Sequence, residues 1–134
     1  MALNYTFSMI KPDAIERKLA GRILDDIESN GFIIKKMRKM HITLQQAQDF
    51  YSSLSQFGFY NELCEYMTSG PIIAFTVEKE NAVLDFRELI GATNPLEAKY
   101  GTIRRKYGIS KGSNSIHGSD SDESAIRESS FFEL

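Results

Sequence analysis

The hydrophobic pattern opens with Tyr5-Thr6-Phe7-Ser8-Met9-Ile10, in which aromatic and aliphatic residues alternate with small polar ones at the period of a strand. Lys11-Pro12-Asp13 breaks it, since proline has no N–H to continue a central ladder. The period then lengthens. Leu19, Ile23 and Ile27 fall on one helical face with Ala20 and Leu24 beside them, and Asn30-Gly31 supplies a helix stop. Phe32 to Ile42 has strand composition, an apolar start followed by alternating lysine, methionine and arginine. Thr43 and Gln46 have the spacing of a capping box, opening a helix that aligns Ala47, Phe50, Tyr51 and Leu54.

A break at Gln56 to Gly58 precedes a shorter helix from about Phe59 to Thr68, with Leu63 and Met67 inward. Ile72 to Val77 is a near-continuous apolar run, the mark of a strand buried on both faces. Asn81 is placed to cap a helix carrying Val83, Phe86, Arg87 and Ile90, which Gly91 ends. The stretch from Ala92 to Gly112 holds turn signals and one helical turn near Thr102 to Lys106; a loop this long in a compact domain is usually functional. Ser115-Ile116-His117 is the last strand. Gly118 allows a sharp turn, and Asp120-Ser121-Asp122-Glu123 has capping-box spacing for a final helix to about Ser130, packed at its end by Phe131-Phe132. The skeleton is βαββαβ with extra helices. It predicts an α+β, ferredoxin-like fold: one four-stranded antiparallel sheet covered by helices on one face.

Composition narrows the function classes. The 134 residues suit a single domain spanning 1–134. A net charge of -2 gives no reason to expect nucleic acid or an anionic membrane as partner, despite the basic runs Lys35-Lys36-Met37-Arg38-Lys39 and Arg104-Arg105-Lys106. Cys64 is the only cysteine, so one chain can build neither a disulfide framework nor a multi-cysteine metal site. No signal-peptide pattern or bilayer-length apolar run occurs, and the expected location is cytoplasmic.

Candidate chemistry centres on Asn114-Ser115-Ile116-His117-Gly118-Ser119-Asp120. The pattern puts a histidine at a strand end beside a helix N-terminus, whose unpaired N–H groups and partial positive charge suit an anion. A lone histidine in such a place is more often structural, so its neighbours must decide. The common phosphate cradles, the Walker loop and the dinucleotide fingerprint, are absent. Lys11, Tyr51, Arg87, Thr93 and Arg104 are polar residues beside apolar runs or in the long loop. Each alone has an ordinary reading, a stem buried under a solvated head or a core tyrosine. Together with His117 they would make the set of cations and hydroxyls that a polyphosphate site without a P-loop requires. Glu128 shares the Ser121, Ala125 face of the last helix and can turn back toward His117. A carboxylate there would fix the imidazole tautomer. Asp120 and Asp122 compete for that role, although helix capping is their usual one.

These residues carry a resemblance. Thr6-Phe7-Ser8-Met9-Ile10-Lys11-Pro12-Asp13, Tyr66-Met67-Thr68-Ser69-Gly70-Pro71, Gly91-Ala92-Thr93-Asn94-Pro95, Gly101-Thr102-Ile103-Arg104 and the His117 motif occur in the order seen in nucleoside diphosphate kinases. The chain resembles that family nearly end to end. The resemblance implies ping-pong transfer of the terminal phosphoryl group from a nucleoside triphosphate, mainly ATP, to a nucleoside diphosphate, which maintains NTP and dNTP pools. It implies a pros-phosphohistidine on His117, oriented by Glu128 with Ser119 beside it. Lys11, Tyr51, Arg87, Thr93 and Arg104 match phosphate-holding residues, Lys11 and Asn114 ribose contacts, and Phe59 the platform on which the base stacks. Mg²⁺ would arrive on the nucleotide phosphates, with no metal site of the protein's own. Phe57-Gly58-Phe59-Tyr60 stands where many relatives have Arg-Pro-Phe-Phe, which leaves base preference open. Lys99-Tyr100-Gly101 replaces the usual Lys-Pro-Gly. The chain stops at Leu134 without the longer tail of eukaryotic members, which points to a bacterial-type or otherwise short one. The resemblance also implies a homo-oligomer, a hexamer ahead of a tetramer.

Overall fold

The computed structural model describes residues 3–134. Strand β1 (Tyr5–Ile10) pairs antiparallel with β3 (Ile72–Glu78) on one side and β4 (Ile116–Gly118) on the other, and β2 (Ile33–Met40) pairs antiparallel with β3. The order β2-β3-β1-β4 is the predicted ferredoxin-like sheet. Hydrophobicity explains the order. β1 and β3 are almost wholly buried and take the middle, while the lysine-rich β2 takes an edge and is largely exposed.

Among the described residues seven α-helices surround the sheet: α1 (Pro12–Glu16), α2 (Ala20–Ser29), α3 (Leu44–Phe50), α4 (Tyr60–Met67), α5 (Ala82–Ile90), α6 (Ile103–Tyr107) and α7 (Asp122–Phe131). They cover both faces, not the one face expected. Ile10, Ile73, Phe75, Val77 and Ile116 pack with Ile23, Ile27, Phe86, Ile90 and Ile103 on one side. Phe7, Met9, Ile72 and Ala74 pack with Ala47, Phe50, Cys64, Met67 and Phe132 on the other. Residues alternate between faces along the strands, and in β3 both sets, Ile73-Phe75-Val77 and Ile72-Ala74, are apolar, so both faces must be covered.

Local signals were realised unevenly. The Thr43–Gln46 capping box forms in both directions, at 3.1 and 2.8 Å. Asn81 stands at the N-cap of α5 in a left-handed conformation (φ 56°), but its amide donates to Asp85 Oδ1 and not to the helix backbone. The cap of α7 is Ser121, whose Oγ accepts the Ser124 N–H at 3.1 Å; Asp120 lies outside the helix. Gly118 was expected to make a sharp turn. Its actual role is close packing: a Cβ there would stand 2.8 Å from Ile90 Cδ1 and 3.2 Å from Phe86 Cδ2, so only glycine lets β4 close on α5.

Candidate active site

His117 is the middle residue of β4, opposite Met9 of β1. Ser8 Oγ donates to the His117 carbonyl at 2.7 Å, pinning the short strand. The imidazole packs edge-on against Phe7 and Phe50, with ring centroids 6.0 and 5.8 Å away. The Ser121 cap sets the phase of α7, so Ala125 and Glu128 turn inward. Glu128 Oε1 then lies 2.8 Å from His117 Nε2 and accepts Ser119 Oγ at 2.7 Å, while Oε2 is 3.5 Å from Arg127. Burial pushes the Glu128 carboxyl up, but the bond and charge of His117, the Ser119 hydroxyl and Arg127 outweigh it and hold the group below its usual value. An ionised Glu128 only accepts, so the bond assigns the proton to Nε2. Nδ1 has no hydrogen-bond partner among the described residues, and the side chain keeps 18% exposure.

His117 opens into a cleft of about 730 Å³, which Lys11, Tyr51, Phe59, Arg87, Thr93, Arg104, Asn114 and Glu128 also line. Thus nine of the ten residues singled out from the sequence meet there. The tenth, Ser119, is buried behind Glu128. Asp120, the competitor of Glu128, also lines the cleft but pairs with Arg87 at 2.8 Å.

The cations are held in different ways. Lys11 follows β1 and is buried; its Nζ donates to Asn114 Oδ1 at 2.8 Å, and Asn114 Nδ2 donates to the Thr93 carbonyl at 3.0 Å. Burial, then the charge of Arg104, lowers the Lys11 ammonium to about 7 against an opposing pull from Asp13. Arg104 donates through Nε and Nη2 to the Ile116 carbonyl, at 3.2 and 2.9 Å, and through Nη1 to the Gly91 carbonyl. It therefore braces the backbone just before His117. Burial and the neighbouring Arg87 lower it to about 10. Tyr51 sits edge-on to Phe50, and its buried hydroxyl has no hydrogen-bond partner among the described residues. Burial, with the charge of Glu128, raises that phenol. Phe59 is half exposed at the N-cap of α4.

Sequence reasoning missed a brace behind β4. Tyr66 donates to the Asp13 carboxylate, Arg17 pairs with Asp13 at 3.1 Å and donates to Ser115 Oγ at 3.3 Å, and Ser115 is held at φ 79°. The i, i+4 spacing of Asp13 and Arg17 was a readable signal; the left-handed Ser115 was not. Arg127 was also missed. It lies over the Phe50 ring, 5.5 Å from the centroid, and lines the cleft.

The family model described as nucleoside diphosphate kinase matches residues 4–133. The chain belongs to the nucleoside diphosphate kinase family. A protein of that name from Geotalea uraniireducens (strain Rf4) is 48% identical over 130 residues, covering 97% of this chain and 95% of the relative. The crystal structure of nucleoside diphosphate kinase from Encephalitozoon cuniculi, cubic form, superposes with a TM-score of 0.94 at 41% identity, over 97% of this chain and 88% of that one. The Aquifex aeolicus enzyme gives 0.94 at 40%, over 96% and 94%. Membership of the nucleoside diphosphate kinase family makes this chain a phosphotransferase that works between nucleotides. Among the described residues no helix is long and apolar enough to cross a membrane.

Proposed function

We propose that one domain, residues 1–134, runs a ping-pong cycle through His117, with ATP as the main donor and nucleoside diphosphates as acceptors. The observation that carries this is the pairing of Nε2 with Glu128, which leaves Nδ1 as the nitrogen with a free lone pair. Nδ1, the pros nitrogen, attacks the terminal phosphorus. The bond to the bridging oxygen breaks, and nucleoside diphosphate leaves with that electron pair. A terminal phosphate oxygen of the second diphosphate then attacks phosphohistidine, breaking the N–P bond and restoring neutral imidazole. Glu128 stabilises the positive charge that develops on the ring in the first half and orients the ring in both, and Ser119 holds Glu128. Lys11, Arg87 and Arg104 supply charge to the phosphate oxygens, with Tyr51 and Thr93 as hydroxyl donors. Asn114 and Lys11 take the ribose hydroxyls, and Phe59 stacks the base. Stacking reads every base, so specificity is broad.

Magnesium enters as part of the nucleotide substrate. Among the described residues no three His, Cys, Asp or Glu side chains converge into a cage, and the charges of the cleft are chiefly cationic. Such a donor set fits a metal held by phosphate oxygens, where it spreads negative charge. The same reading places the enzyme in the cytoplasm, serving NTP and dNTP pools, as a homo-oligomer, a hexamer ahead of a tetramer. The exposed Ile33 and Met37 of edge strand β2 support self-association, and light scattering tests it.

The cycle itself is tested by initial-rate kinetics. Double-reciprocal plots at several donor concentrations should be parallel. Intersecting lines would mean direct transfer in a ternary complex.

A further inference from the structure

Phe57 and Phe59 form a parallel pair outside both core clusters. Their ring centroids are 5.4 Å apart and their planes 6° apart, an offset stack. Each ring is about half exposed. Only Phe59 lines the cleft. One part of the Phe59 ring is therefore covered by Phe57, and the rest is available to an occupant of the cleft.

Little else holds this segment. The Phe57 N–H donates to the Leu54 carbonyl at 3.0 Å, the Tyr60 N–H to the Phe57 carbonyl at 3.2 Å, and the Leu63 N–H to the Phe59 carbonyl at 2.9 Å. These bonds are made by the backbone and do not themselves hold the Phe59 ring. Gly58, between the two rings, has no neighbour within 4 Å of where its Cβ would be. Among the described residues, Phe57 is the aromatic ring that stacks on Phe59.

We infer that Phe57 is a positioning residue for the nucleobase: by stacking on Phe59 it holds that ring in the plane the base must meet. The inference rests on the reading of Phe59 as the base platform. A platform already held loses less rotamer freedom when a base arrives, so the gain appears in nucleotide affinity and not in the rate of phosphoryl transfer. Purines, with the larger π-face, gain more than pyrimidines.

The test combines steady-state kinetics with calorimetric titration of ADP into the full-length enzyme. Phe57→Ala should raise the KM and the Kd for ADP about three- to tenfold, the range of an aromatic pair, with kcat within about twofold. Phe57→Tyr, which keeps the ring, should restore affinity. On a Phe59→Ala background, Phe57→Ala should change almost nothing, because it acts through Phe59. Unchanged affinity in Phe57→Ala, an equal loss on the Phe59→Ala background, or a loss in Phe57→Tyr as large as in Phe57→Ala would each overturn the inference. A kcat that falls as far as kcat/KM would do so too. If the wild-type enzyme formed no phosphohistidine, the proposed function would fail, while the ADP titration would still report on Phe57.

Discussion

Glu128 Oε1 stands 2.8 Å from His117 Nε2 and 2.7 Å from Ser119 Oγ, so one carboxylate oxygen fixes the tautomer of the ring while a buried hydroxyl fixes the carboxylate. Glu128→Gln keeps the shape and removes the charge. Phosphorylation of His117 should slow by about two orders of magnitude, in the range for general catalytic groups, while ADP affinity changes by less than about threefold. Rapid-quench labelling and calorimetry measure the two. Equal loss in both would show that Glu128 does not act through the histidine.

Lys11 illustrates a site group that opposes folding. Its ordinary value is 10.5, and in the folded chain it is lowered to about 7. Between those values the unfolded chain holds a proton that the folded chain lacks, so the Lys11 contribution to stability improves as pH rises from 7 to 10.5 and is at its most unfavourable below 7. Lys11→Met should therefore stabilise the empty enzyme near pH 7 by about 1–3 kcal/mol, with the margin shrinking toward pH 10, and should abolish efficient transfer. Urea melts across pH test the sign. A margin that grew with pH would contradict it.

Polyphosphate beside Lys11 should restore its charge. ADP binding at pH 8 should then take up protons, which calorimetry in buffers of different ionisation enthalpy reads directly. Net proton release would contradict this assignment.

Among the described residues the buried Tyr51 hydroxyl has no hydrogen-bond partner. Tyr51→Phe should leave the empty enzyme as stable or more stable, by up to about 1 kcal/mol, and slow the transfer step. A destabilised variant would imply a partner for the hydroxyl in the free enzyme.

Gly118→Ala would push a methyl group toward Ile90 and Phe86. The expected cost is about 1–3 kcal/mol, together with slower labelling of His117, whose strand must move. Unchanged stability and rate would mean that α5 yields without disturbing β4.

Where the sequence was readable, periodicity was the reason. The apolar run Ile72 to Val77 announced a strand with two buried faces, and the Thr43–Gln46 spacing announced the cap of α3. The helical phase that puts Glu128 with Ser121 and Ala125 also brings it back to His117. What was not legible depends on contacts distant in sequence. Covering both faces of the sheet required counting the apolar residues of β1 and β3 on each face separately. The guanidinium of Arg104 is spent largely on the Ile116 and Gly91 carbonyls, which no local pattern reveals. Likewise, Ser121 and not Asp120 caps α7, while Asp120 pairs with Arg87 of α5, a partner no local pattern reveals.

The central claim is a covalent phosphoryl group on Nδ1 of His117. Incubation with γ-labelled ATP in the absence of acceptor, followed by phosphorus–nitrogen correlation spectroscopy, locates it. The account predicts one acid-labile phosphate per chain, on Nδ1, discharged by any nucleoside diphosphate and absent from His117→Ala. Label on Nε2, an acid-stable label, or label that persists in His117→Ala would contradict it.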